Sequence, residues 1–221
     1  PIKIIAGPCQ IESEDHAMQM AEKIVKICYE QGMRVVYKSS FDKANRSSIG
    51  SARGVGIDKG LKILQKVKKE FDVPVITDIH QPEQAGFVEE VVDIIQIPAF
   101  LCRQTDLIIA AAKTNCWVNV KKGQFLSYQE VANIKGKYPD NKKFMITERG
   151  TTFGYNNLVV DMRGIHHMRD HYPVIMAGVF PEVHNDPNNA PSDGPNMLTP
   201  DEFRKLITKL KILDSTVKQK L

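Results

Sequence analysis

Short β-branched runs alternate with amphipathic stretches from one end of this chain to the other, and that alternation narrows what it can fold into more than any other feature. Lys3–Gly7 (KIIAG) is a strand run stopped by Gly7-Pro8, and Asp15–Gln31 follows, with Ala17, Met20, Ala21, Ile24, Val25 and Cys28 at helical spacing until Gly32 ends it. The pair recurs as Arg34–Lys38 and Ile57–Phe71, whose Leu61, Leu64 and Val67 share one face with lysines on the other. Pro74–Asp78 and Pro82–Val91 come next, then Asp93–Pro98 and Gln104–Thr114. Trp117–Lys121 leads into a helix from Ser127 to about Lys135, and Phe144–Glu148 into a less clean crossover helix over Leu158–His171. Parallel neighbours need a helical crossover, so this rhythm means a parallel sheet. No GxGxxG follows the first strand, and polar clusters follow every strand instead of gathering at one switch point. The expectation is therefore an α/β chain forming a single (β/α)8 TIM barrel, with residues 1–221 as one domain.

Near the end the rhythm fails. Pro173–Met176 (PVIM) reads as a seventh strand and Ala177–Glu182 (AGVFPE) as an eighth, with nothing between them to carry the chain back. Barrels of this type run to about 250 residues, so a loop and a helix are expected to be missing between Met176 and Ala177. A Cα separation there beyond the ~3.8 Å of a trans peptide would support a missing segment, and a continuous bonded chain would oppose it. Asn185–Leu198 is a Pro/Asn/Asp-rich loop, and Thr199-Pro200 opens the last helix in N-cap and first-turn positions.

The formal net charge of +4 is mild and the cations are spread along the chain. That favours anionic small molecules and gives no support to nucleic acid. The four cysteines Cys9, Cys28, Cys102 and Cys116 show no CxxC spacing, as expected of a reducing compartment. There is no apolar run of membrane-spanning length and no signal peptide, so the expectation is a soluble cytoplasmic protein without membrane partners. The sequence opens on Pro1, not Met, and a few residues are expected to precede it.

In such a barrel the carboxyl ends of the strands form the site. Those ends carry Cys9; then Lys38, Lys43, Asn45 and Arg46; Asp78 and His80; Gln96, Ala99 and Phe100; Lys121 and Lys122; Glu148 and Arg149; and Glu182 and His184. The loop YKSSFDKANRSS, Tyr37–Ser48, alone offers two lysines, an arginine and several hydroxyls. It reads either as a solvated basic turn or as a grip for phosphates and carboxylates. Cations converging from several strands would repel one another without an anion, which points to a polyanionic ligand. Cys9, Glu182 and Asp193 are acceptable ligands for a divalent transition metal, lacking an imidazole that His184 or His80 could supply; the competing reading is a buried cysteine that simply packs. His16, His166, His167 and His171 fall within helices and read as surface or core residues, Cys28 and Cys116 as packing, and Trp117 as barrel or helix-layer filler.

The segments IAGPCQIES, KSSFDKANRSS, TDIH, IIQIPAFLCRQTDL, NVKKGQF, ERGTTFGYNNLVVDMR and SDGPNML, in this order, resemble the 3-deoxy-D-manno-octulosonate 8-phosphate (Kdo 8-phosphate) synthase family over nearly the whole chain. A related family, the heptulosonate 7-phosphate synthases, typically carries Lys-Pro-Arg where this chain has KANRSS. The resemblance implies a cytoplasmic homotetrameric transferase of lipopolysaccharide biosynthesis that condenses phosphoenolpyruvate with arabinose 5-phosphate. It implies that Lys38, Lys121 and Arg149, with the backbone around Ala99, bind the phosphoenolpyruvate phosphate, with Gln96 and Phe100 beside them. Lys43 would reach the carboxylate or the sugar aldehyde, Asn45, Arg46 and Ser47 would hold arabinose 5-phosphate, and Arg103 would complete its phosphate site from a neighbouring subunit. Asp78 and His80 would handle protons. Cys9 follows IAGP as in the metal-dependent members, so a divalent ion (Zn, Fe, Mn or similar) is implied on Cys9, Glu182 and Asp193. The family's histidine ligand lies in a DATHS segment after the seventh strand, where this sequence passes from Met176 to Ala177. Were that segment truly deleted, a non-catalytic sugar-phosphate binding protein would be the alternative.

Overall fold

The structure is a computed structural model, and it describes residues 2–139, 143–176 and 180–218. Its elements follow the predicted alternation. They are β1 (Lys3–Ala6), α1 (Glu14–Glu30), β2 (Arg34–Lys38), α2 (Ile57–Phe71), β3 (Val75–Asp78), α3 (Gln84–Val88), β4 (Ile94–Ile97) and α4 (Thr105–Lys113). Then come β5 (Trp117–Lys121), α5 (Val131–Lys135), β6 (Phe144–Glu148), the short β7 (Thr151–Thr152) and β8 (Leu158–Val159), α6 (Met162–Arg169), β9 (Val174–Met176) and α7 (Pro200–Lys218). The sheet order is β1-β2-β3-β4-β5-β6-β9, with β7 and β8 forming a separate ribbon. A parallel series in chain order with helical crossovers is the (β/α)8 fold, here with part of the chain lacking.

Two compact units divide the chain, Pro1–Val75 with Val179–Leu221, and Ile76–Gly178. In the first, β1 and β2 pair in parallel from Lys3↔Arg34 to Ala6↔Tyr37. Their apolar side chains Ile4, Ala6 and Val35 pack with Met20, Ile24 and Cys28 of α1, with Val183, and with Phe203 and Ile207 of α7 in one buried cluster. Ser13 caps α1 by accepting the His16 N–H at 3.1 Å, and Gly32 takes the left-handed conformation just past its end. Thr199 and Glu202 form a reciprocal capping box at α7: the Thr199 N–H donates to the Glu202 carboxylate at 2.8 Å and the Glu202 N–H to Thr199 Oγ1 at 3.3 Å. A parallel bridge joins Gly7 to Glu182, which sets the segment carrying Glu182 beside β1, where an eighth strand belongs.

In the second unit β4, β5, β6 and β9 pair in parallel and in sequence. A polar ladder threads their interior: Gln96 Nε2 donates to Asn119 Oδ1 at 2.9 Å, and Asn119 Nδ2 to Thr147 Oγ1 at 2.8 Å. Three expectations change. Leu158–Val159 is not helical but pairs antiparallel with Thr151–Thr152, because the turn between them uses left-handed Gly154 and Asn156; the helix begins only at Met162, capped by Asp161. The predicted helices over Pro82–Val91 and from Ser127 shrink to α3 and α5. Trp117 is 37% exposed at the start of β5 and fills no layer. The expected eighth strand over Ala177–Glu182 and the expected Cα gap at Met176–Ala177 fall partly or wholly on residues 177–179, outside the described residues.

Candidate functional site

Gly7 makes the first corner of the site possible. A Cβ there would meet the Lys38 carbonyl oxygen at 1.8 Å, so only glycine lets the end of β1 approach the end of β2 this closely. Beyond it the two chain segments stay laced: the Ser40 N–H donates to the Cys9 carbonyl at 3.2 Å and the Ile11 N–H to the Ser40 carbonyl at 2.9 Å. That lacing brings Cys9, Lys38 and Ser40 together. Lys38 is 1% exposed, and its ammonium donates to Ser40 Oγ at 2.9 Å and to the Cys9 carbonyl at 3.3 Å. Lys43 donates to the same Ser40 hydroxyl at 3.0 Å. Two ammonium groups share one hydroxyl, and the field they create favours an anion.

Cys9, Glu182 and Asp193 form a donor set whose ligand atoms all lie within 4.8 Å of one another. The Cys9 thiol donates to Asp193 Oδ2 at 3.0 Å. Burial pushes this thiol up to about 11; Lys38 and Lys43 oppose the shift, and Glu182 and Asp193 add to it. Burial also acts to raise Asp193, but the Cys9 hydrogen bond and the charges of Lys43, Arg46 and Lys38 outweigh it and hold the carboxyl below its usual range. One thiol and two carboxylates suit a divalent transition ion, which would have to displace the thiol proton to bond to sulfur. His184 does not complete this set. Its Nε2 lies 2.6 Å from Glu12 Oε1, in a second cluster of Glu12, His16 and His184.

The rest of the first unit's predicted residues lie on the loop after β2. Arg46 donates to Gln10 Oε1 at 2.8 Å and to the Pro191 carbonyl at 3.0 Å, tying that loop to the one that carries Asp193. Asn45 and Ser47 flank it, exposed.

In the second unit, Asp78 and His80 pair at 3.1 Å between Oδ2 and Nε2, and Gln84 Oε1 accepts the His80 N–H. Gln96 is held in the polar ladder, Ala99 and Phe100 lie in a single 3-10 turn with Phe100 56% exposed, and Arg103 is exposed. Lys121 ends β5 half-buried. Arg149 donates to Gln124 Oε1 at 3.1 Å. Its neighbour Glu148 is buried, accepts the Gly150 N–H at 2.6 Å and faces the buried Lys122 ammonium at 3.5 Å, so Lys122 anchors the loop after β6 and is not a rim cation.

Sequence reasoning passed over two groups here. Ser40 was one of several serines until the structure showed it collecting both lysines, and no signal in the sequence distinguishes it. Glu12, just before the Ser13 cap of α1, and His16, in the first turn of that helix, stand four apart in sequence, and their side chains meet with the ring Nδ1 3.5 Å from the carboxylate.

The sequence matches the model of the DAHP synthetase I family over residues 1–177, so the match ends just past β9. It is 46% identical to the 2-dehydro-3-deoxyphosphooctonate aldolase of Rickettsia bellii over 258 aligned positions, which take in 100% of this chain and 94% of that protein. The proteins of the same name from Bartonella tribocorum and Rickettsia canadensis are 45% and 47% identical, covering 92% and 94% of their own lengths. An alignment of 258 positions over a chain of 221 residues means that the Rickettsia bellii relative has, inside the aligned span, several tens of positions with no counterpart here.

Proposed function

Since the chain belongs to the DAHP synthetase I family, we propose that it joins phosphoenolpyruvate to D-arabinose 5-phosphate, with water, to give 3-deoxy-D-manno-octulosonate 8-phosphate and inorganic phosphate, with residues 1–221 acting as one catalytic domain. The relatives' name denotes an eight-carbon 2-keto-3-deoxy acid phosphate, which is what a three-carbon enol phosphate and a five-carbon aldehyde phosphate make together. The observation that carries the reading is the convergence of Lys38 and Lys43 on Ser40, next to a cysteine and two carboxylates fit for a metal ion.

In this reaction C3 of phosphoenolpyruvate forms the new bond to the sugar aldehyde carbon, water adds at C2, and the C2–O bond to phosphate breaks. Lys38, Lys121 and Arg149, with Gln96 and the backbone at Ala99 and Phe100, bind the phosphoenolpyruvate phosphate. Lys43 offsets the charge that gathers on the aldehyde oxygen. Asn45, Arg46 and Ser47 hold arabinose 5-phosphate, with Arg103 from a neighbouring subunit of a homotetramer. His80, oriented by Asp78, moves protons. Cys9, Glu182 and Asp193 would hold a divalent ion such as Zn, Fe or Mn, which when bound supplies Lewis acidity to the aldehyde or the water. The described residues contain no helix long and apolar enough to cross a membrane, and a cytoplasmic place fits the phosphorylated reactants.

The family name also covers synthesis of the seven-carbon homologue from erythrose 4-phosphate, and one assay separates the two. Phosphate release is measured with phosphoenolpyruvate and each aldose in turn, before and after chelation and with metal restored. Release with arabinose 5-phosphate that is lost on chelation and regained with metal is the expected result. Preference for erythrose 4-phosphate, or no release with either sugar from metal-loaded protein, would overturn the reading.

A further inference from the structure

The cluster of Glu12, His16 and His184 is not used by the chemistry above, and its hydrogen bonds assign its protons. His16 Nε2 faces Asn185 Oδ1 at 2.9 Å, so in the neutral ring that nitrogen carries the hydrogen and Nδ1 carries the lone pair. Nδ1 is buried, has no hydrogen-bond partner, and lies 3.5 Å from Glu12 Oε1. His184 is arranged the other way. Its Nδ1 accepts the Asp186 N–H at 2.9 Å, which places its hydrogen on Nε2, donated to Glu12 Oε1 at 2.6 Å. With the His16 ring neutral, an imidazole lone pair and a carboxylate thus face each other with no hydrogen between them, an arrangement that a cation stabilises.

We propose that Glu12 and His16 form a second divalent-metal site, independent of Cys9, that takes a borderline ion such as Zn²⁺, Ni²⁺ or Cu²⁺ with water in its remaining positions. The donors are the His16 Nδ1 and the Glu12 carboxylate, an imidazole and an oxygen suited to those ions. Asn185 and His184 are their outer partners: one fixes the tautomer of His16, the other orients the carboxylate of Glu12. His184 stays out of the coordination, because its Nε2 cannot give a lone pair while Nδ1 accepts from a backbone N–H. Binding at this site displaces no thiol proton, in contrast to Cys9. The ion would fix Glu12 against the first turn of α1, and the hydrogen bonds between Glu12 and His184 and between His16 and Asn185 tie both donors to the segment that begins two positions beyond Glu182.

The Cys9→Ser protein, stripped with a chelator, isolates this site from the other. Dialysis against Ni²⁺ alone should leave one ion per chain and raise the melting temperature, and the Cu²⁺ form should show the hyperfine pattern of a single imidazole nitrogen by electron paramagnetic resonance. Adding His16→Asn should weaken Ni²⁺ binding at least tenfold and abolish the nitrogen signature. Glu12→Gln, which keeps the side-chain shape, should weaken it likewise and serves should the His16 variant fold poorly. No bound ion in Cys9→Ser, a spectrum without nitrogen coupling, or unchanged affinity in Glu12→Gln would each overturn the proposal. None of these readouts depends on phosphate release, so they fail separately from the proposed activity.

Discussion

In the metal site proposed on Cys9, acidity and metal capture are linked through a single hydrogen. With the thiol pushed up to about 11 by burial, the metal-free protein holds it protonated at neutral pH, donating to Asp193. An ion that bonds to sulfur must expel that proton, and mass action then makes affinity climb roughly tenfold per pH unit while pH stays below the thiol's own value. The sign is fixed, because raising pH removes the competitor and stops helping only when the free thiol is already ionised, near 11. Chelator competition at pH 7 and pH 8 should show that slope in the native chain and lose most of it in Cys9→Ser, where no thiol proton is displaced. Equal slopes in the two proteins would mean that the ion does not bond to Cys9. The residue types of this donor set were legible in the sequence, because Cys9 and Glu182 close strand runs. That Asp193 adopts the left-handed conformation (φ 53°) and accepts from the thiol was not, since a loop's backbone is set by the contacts it makes.

Elements were legible to the extent that local chemistry and tertiary demand agreed. Six strand runs ended where a Gly, a Pro, an acid or a lysine ended them, and α1 and α2 announced themselves by one apolar stripe each. The Leu158–Val159 pair was misread because adjacent apolar residues before a helical stretch look like that helix's first turn. The informative signal was Gly154-Tyr155-Asn156-Asn157, a turn with two positive-φ positions. The start of α7 is the opposite case, where Thr199, Pro200 and Glu202 specify the cap in four residues. Thr199→Ala removes the hydroxyl that accepts the Glu202 N–H, and should lower the unfolding free energy by about 1 kcal/mol in denaturant titration. Thr199→Ser should restore it. Loss of the cap frays the end of the helix nearest Phe203, a member of the buried cluster that also contains Val183, so the same variant should loosen the segment bearing Glu182. Metal affinity that falls along with stability in Thr199→Ala, and recovers in Thr199→Ser, is the expected pattern.

For the molecule as a whole, the question is what the interrupted rhythm does to the strand where it breaks. Parallel strands are ordinarily covered on both faces, and β4 shows this, with Ile94, Ile95, Gln96 and Ile97 all buried. In β9, Val174, Ile175 and Met176 are each only half-buried, although β9 pairs with β6 in regular register. Among the described residues no α-helix follows β9 until α7 begins at Pro200, and the only helical turns between them are two single 3-10 turns. The family match ends at residue 177, and the Rickettsia bellii relative has several tens of positions for which this chain has no counterpart. A cover lost from β9 would account for these facts together, and opening of such a strand should cost much less than global unfolding. Amide exchange at Ile175 and Met176 should therefore run at least tenfold faster than at Ile95 and Ile97, under conditions where exchange reports opening free energy. Inserting the relatives' extra segment between Met176 and Ala177 should slow the β9 amides and leave those of β4 unchanged. The resemblance places a histidine ligand in that segment, so the same insertion should also tighten metal binding in a way that disappears with Cys9→Ser. If the β9 amides exchange as slowly as those of β4 before any insertion, the strand is already covered, and the missing segment has no structural role left to explain.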